Sequence, residues 1–96
     1  MTAVRAIVAD GSLPRLPRHV KLRFDPRRNR WIVLAPERVL MPDEVALEIL
    51  KRCDGATSVS AIVEGLAEVY QASAEEIGED VVELLQDLAD KGFVQL

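Results

Sequence analysis

The stretch RNRWIVLAPERVLMP, from Arg28 to Pro42, decides the fold. Trp31-Ile32-Val33-Leu34 is apolar without a break, as in a strand at the middle of a sheet or with both faces covered. Glu37 to Met41, bracketed by Pro36 and Pro42, reads as a further short strand. Proline withholds an amide from the ladder, so a segment held between two prolines belongs at a sheet edge. Such edges normally carry defences against pairing with other chains. This one presents Val39, Leu40 and Met41.

Upstream, Val20, Leu22 and Phe24 alternate with Lys21, Arg23 and Asp25, the period of a strand with one buried face. Asp25-Pro26 and Arg27-Arg28-Asn29 supply a turn, because proline presets its backbone angle and asparagine tolerates left-handed geometry. Two tight connections make a three-stranded antiparallel meander with the third strand on an edge. Residues 1–15 hold Gly11 and Pro14 and keep no period. They read as a flexible N-terminal arm or linker, leaving 16–96 as the folded domain.

After Pro42 the apolar spacing becomes helical. Pro42-Asp43-Glu44 suits a first turn, with Val45, Ala46, Ile49, Leu50 and Cys53 on one stripe and Gly55 closing the helix. Ser58 caps a second helix with the stripe Ile62, Val63, Leu66, Val69 and Tyr70. Ser73 with Glu76 forms a capping box that opens a third helix, ended by Lys91-Gly92. Phe93 and Val94 fold back over its last turn. The fold class is α+β: a three-stranded antiparallel sheet followed by three helices, winged-helix-like.

At ~100° per residue, Ile77, Val81, Leu84, Leu85 and Leu88 of the third helix cluster around one direction. Val82 and Ala89 widen that apolar arc to roughly 160°, whereas docking on a core needs only ~100°. The spare flank, Val82, Leu85 and Ala89, lies against the other helices, the sheet or something external. With an apolar edge strand beside it, this flank forms one wall of a groove. An extended peptide would add itself as a strand at Glu37, Arg38, Val39, Leu40 and Met41, its alternate side chains resting on that wall. A shield formed by the N-terminal arm or by a second copy of the chain is the alternative.

Composition narrows the function. The chain has 96 residues, one histidine, one cysteine and a net charge of −4. Residues 1–40 carry nine Lys/Arg against three acids, and residues 41–96 three against thirteen. No apolar run approaches the roughly 20 residues that cross a bilayer, and no secretion signal stands at the start. The reading is therefore a cytoplasmic protein without a membrane partner. His19 alone and Cys53 alone supply neither a catalytic constellation nor a metal site, so an enzyme is not expected. A winged-helix nucleic-acid-binding domain is the rival reading. Glu75, Glu76, Glu79, Asp80, Glu83, Asp87 and Asp90 on the candidate recognition helix would repel phosphates, so no nucleic acid is expected.

Five segments, LPRHVKLRFD, RNRWIVLAPERVLMP, EILKRCDG, the run from Ser58 to Tyr70 and DVVELLQDLADKGFV, resemble the PqqD family from about Leu16 to the end. The most specific marks are Leu34-Ala35-Pro36-Glu37 and Cys53-Asp54-Gly55. Where such proteins commonly open the first helix with asparagine, this chain has Pro42. The resemblance implies a peptide chaperone of pyrroloquinoline quinone biosynthesis, one of the recognition elements for ribosomally made, modified peptides. It implies two partners, the precursor peptide and a radical S-adenosylmethionine enzyme that joins a glutamate to a tyrosine in it. It also implies that the peptide lies between the third strand and the third helix. No cofactor is expected in this chain, since the iron–sulfur clusters and S-adenosylmethionine belong to the partner enzyme.

Overall fold

In a computed structural model, residues 5–96 are described. Three strands precede three helices: β1 Lys21–Asp25, β2 Arg30–Ala35, β3 Arg38–Leu40, α1 Glu44–Leu50, α2 Val59–Tyr70 and α3 Ala74–Asp90. The sheet order is β1-β2-β3, both pairs antiparallel, so the unbroken apolar strand is central and β3 is an edge. Asp25 fixes the first turn: its carboxylate accepts from the Arg27 amide at 3.0 Å and pairs with Arg28 at 2.7 Å, while Asn29 takes the left-handed conformation (φ 53°).

The helix caps follow the sequence closely. Ser58 Oγ accepts from Ala61 N, and Ser73 Oγ from Glu76 N, each at 3.1 Å. Such caps are worth about 1 kcal/mol apiece. Of the expected capping box, only the Ser73 half forms among the described residues. Gly92, at φ 83°, ends α3 in a Schellman motif: Phe93 N donates to Leu88 O and Gly92 N to Ala89 O.

The sequence reading needs correction at three local points. Pro42 precedes α1 instead of starting it, and Asp43 is the N-cap, its carboxylate accepting from Ala46 N at 2.8 Å. The helix stops at Leu50, so Gly55, although left-handed (φ 78°), serves the following loop, where its amide donates to Pro14 O. On α2, Val69 and Tyr70 are exposed and the buried stripe is Val59, Ile62 and Leu66. The left-handed cap at Gln71 turns the chain toward α3 before those two residues can reach the core.

The core joins the inner sheet face to all three helices through Val33, Ile49, Leu50, Ile62, Leu66, Val81, Leu85 and Leu88, sealed by Phe93 and Val94. From Arg5 onward, the segment expected as an arm lies along α2 and α3. Val8 is buried, Asp10 O and Ser12 O accept from Ser60 N and Val59 N, and Arg15 exchanges two 2.8 Å backbone bonds with Gln95. Residues 1–4 of that segment lie outside the described residues.

Candidate functional site

Only the two residues Pro36-Glu37 separate β2 from β3, and Glu37 sits at φ 60°. Glu37 is thus a turn residue and Met41 lies just past the strand, so the expected edge Glu37–Met41 contracts to Arg38–Leu40. Antiparallel partners alternate between hydrogen-bonded and non-bonded pairs. Ala35↔Arg38 flanks the tight turn and is bonded, as is Val33↔Leu40 two residues on. Leu34↔Val39 is the intervening non-bonded pair, which aims the Val39 N–H and C=O away from β2. Among the described residues, no backbone hydrogen bond reaches that outer edge. Val39 is 55 % exposed, and Met41 and Val45 beside it are exposed as well.

The orientation of α3 gives the three residues of the expected wall different surroundings. Leu85 is 0 % exposed and belongs to the core. Gly78 backs onto Val63 of α2, where an added Cβ would stand 3.7 Å from a Val63 methyl. Two turns further along, Gln86 holds the N-terminal segment, accepting from Val8 N at 3.0 Å and donating to Ala6 O at 2.9 Å. Val82 lies between them on the same flank, in a shallow groove with Asp10, Val59 and Val63. Ala89 also borders the N-terminal segment, in a hollow shared with Arg5, Arg15 and His19. Arg5 closes this side with a two-bond contact to Asp90, at 2.6 and 2.9 Å, which holds the Asp90 carboxyl below its usual range. Val82, Leu85 and Ala89 therefore face α2, the core and the chain's own N-terminal segment.

The opposite flank of α3 carries Ile77, Asp80, Leu84, Asp87 and Lys91 at helical spacing, and β3 meets it at the Lys91 end. Arg38 ties the two together at one end. Its guanidinium donates to Lys91 O at 2.7 Å and lies 4.3 Å above the centre of the Phe93 ring. At the other end, Val45, Leu66, Tyr70, Ile77, Asp80 and Val81 enclose an almost wholly apolar hollow of about 180 Å³. The site is thus an open strand edge beside a half-apolar, half-acidic helix flank. Sequence periodicity measures the width of an apolar arc and not the side from which the sheet approaches.

Chemistry-bearing groups are sparse. No cluster of three metal-ligating side chains occurs among the described residues. Cys53 is buried, its thiol donates to Ile49 O at 3.3 Å, and burial pushes its pKa up to about 12. A thiol so held is a core residue, not a nucleophile. Native protein is expected to resist alkylation from pH 7 to 9, and to react only when unfolded in urea. Rapid labelling of the native state would contradict this burial. No helix is long and apolar enough to cross a membrane.

Fold and open edge define a class: small winged-helix-like α+β domains whose third strand pairs on one side and leaves its outer edge free. Comparison with known proteins narrows it. The sequence profile of the family described as "Coenzyme PQQ synthesis protein D (PqqD)" matches residues 30–94. A protein of Rhodopseudomonas palustris (strain BisB5) named "PqqA binding protein" is 61% identical over 94 residues, covering 98% of this chain and 92% of its own. The "Bifunctional coenzyme PQQ synthesis protein C/D" of Methylorubrum extorquens is 41% identical over 94 residues, 25% of its length. The solution structure of the PqqD truncation of Methylobacterium extorquens PqqCD superposes with a TM-score of 0.79 at 39% identity, covering 96% of this chain and 97% of that one. It is described as a functional, stand-alone recognition element for ribosomally synthesized and post-translationally modified peptides. The crystal structure of PqqD from Xanthomonas campestris gives 0.60, also at 39% identity, covering 93% of this chain and 99% of that one. This chain belongs to the PqqD family.

Proposed function

We propose that this chain binds the ribosomal precursor peptide PqqA as an added strand on β3 and presents it to the radical S-adenosylmethionine enzyme that crosslinks its glutamate and tyrosine. The outward Val39 N–H and C=O on an unpaired edge carry this reading. A peptide backbone meeting them extends the sheet, and main-chain bonds of that kind supply affinity. Side chains on the inner face of the added strand would meet Leu40, Leu84 and Ile77, while Asp80 and Asp87 favour basic neighbours. The groove is thus drawn along Arg38–Met41 and the Ile77–Leu84 flank, with Arg38 as its stop at the Lys91 end.

The role is binding without turnover, supported by a family whose relatives are named for binding PqqA. It belongs in the cytoplasm, where ribosomes release the precursor. The test is a backbone-amide NMR titration with PqqA peptide. The Val39 amide and its neighbours on β3, together with Leu84 and Ile77 on α3, are expected to shift at saturation while Val82 and Ala89 stay put. Shifts confined to the Val82 flank would overturn the groove, and no binding would overturn the function.

A further inference from the structure

The last turn of α3 carries no basic residue of its own, and the ammonium of the capping Lys91 is taken by Asp87 at 3.0 Å. A helix C-terminus collects partial negative charge on its free carbonyls and favours a cation there. Here the cation comes from β3. The Arg38 guanidinium donates to Lys91 O at 2.7 Å, 53 residues away along the chain. It lies 4.3 Å above the centre of the Phe93 ring, and Phe93 is itself only 5 % exposed within the core. Gly92 passes close by on the same turn, where an added Cβ would stand 3.6 Å from Arg38 Nη2. Carbonyl, ring and glycine thus fix the guanidinium, and its planar, always-charged group suits both the bond and the stack.

β3 has little else to hold it in place. It is three residues long, and two bonded pairs, Ala35↔Arg38 and Val33↔Leu40, join it to β2. Among the described residues no other hydrogen bond or ion pair links it to a helix. Strand alternation puts Arg38 on the Leu40 side, facing the helices, so its side chain spans the gap from sheet to α3. Its backbone groups face β2, which leaves it none to offer an incoming strand. We infer that Arg38 is a positioning residue for peptide capture: anchored on the last turn of α3, it keeps the outward Val39 N–H and C=O ordered before the peptide arrives. An edge ordered in advance loses less conformational freedom on binding, which strengthens capture without any contact to the peptide. The inference rests on the reading of β3 as the capture edge.

PqqA affinity and amide hydrogen exchange in the peptide-free protein together separate this role from simple stabilisation. The Leu40 amide, bonded to Val33, reports opening of β3, and the Leu66 amide in the middle of α2 reports unfolding of the core. In Arg38→Ala, PqqA affinity of the folded protein is expected to fall about tenfold. Leu40 exchange should quicken about tenfold, and Leu66 exchange by less than about threefold. Arg38→Lys, which keeps the cation but not the flat stack, should fall between in both readings. Wild-type affinity in folded Arg38→Ala overturns the inference, and so does equal acceleration at Leu40 and Leu66, the mark of a purely stabilising contact. Weakened affinity with unchanged Leu40 exchange would make Arg38 a direct peptide contact and overturns it too. If Arg38→Ala does not fold, Arg38→Lys is read alone against the same outcomes. Absence of PqqA binding in wild type overturns the capture reading instead, and Leu40 exchange in the free variants still decides whether Arg38 orders the edge.

Discussion

Val39→Pro is expected to leave the domain folded and to weaken PqqA capture roughly tenfold to a hundredfold. The Val39 amide faces the open edge, so proline there costs β3 no bond to β2, which is the position where a strand tolerates it. Arg38 before it is already extended, as a residue preceding proline must be. The incoming peptide loses a donor, and its own carbonyl is left unpaired beside the sheet, a penalty of about 1–3 kcal/mol. Leu40→Pro makes the contrast. That amide is spent on Val33 across the ladder, so the substitution should loosen the hairpin itself. Isothermal titration with PqqA, with far-UV circular dichroism as the folding control, separates the two variants. A folded Val39→Pro protein that captures peptide normally would mean that pairing does not use this edge.

Leu85→Ala is expected to lower unfolding stability by about 2–5 kcal/mol, the range for truncating a fully buried leucine. For a domain of this size such a loss is a large share of the whole. Urea denaturation reads it directly. If the variant is nearly as stable as wild type but binds PqqA poorly, then Leu85 lines a wall after all and the orientation of α3 described above is wrong. Val82→Asp is the companion control. At 38 % exposure, on the flank toward α2 and the N-terminal segment, it should leave peptide affinity within about twofold.

The proposed groove is therefore drawn along different residues from those the third helix first suggested. On that helix, apolar positions at spacings of three and four define an arc of roughly 160° whatever lies beside it. A quantity read from one helix has no azimuth relative to a sheet elsewhere in the chain. The azimuth is set by long-range contacts: Gly78 against Val63, Gln86 against the backbone of Ala6 and Val8, and Arg38 reaching Lys91 O. Several of these end on main-chain atoms, which every residue type possesses. The N-terminal segment escaped notice for the same reason. Its attachments at Asp10 O, Ser12 O and Arg15 are backbone bonds, and they require no hydrophobic period.

What the sequence determined by itself is what local chemistry controls. Alternation in Val20–Phe24, the unbroken Trp31–Leu34 run and the prolines around Glu37–Met41 gave a central strand and an apolar edge. Ser58, Ser73 and Gly92 marked helix boundaries because cap geometry is satisfied within a few residues. Tertiary structure alone decided that Leu85 is core, that Arg38 of β3 reaches the Lys91 end of α3, and that the segment from Arg5 onward covers the flank of Val82 and Gln86. Those outcomes depend on how separately specified elements bury one another, and burial is a property of the assembled chain.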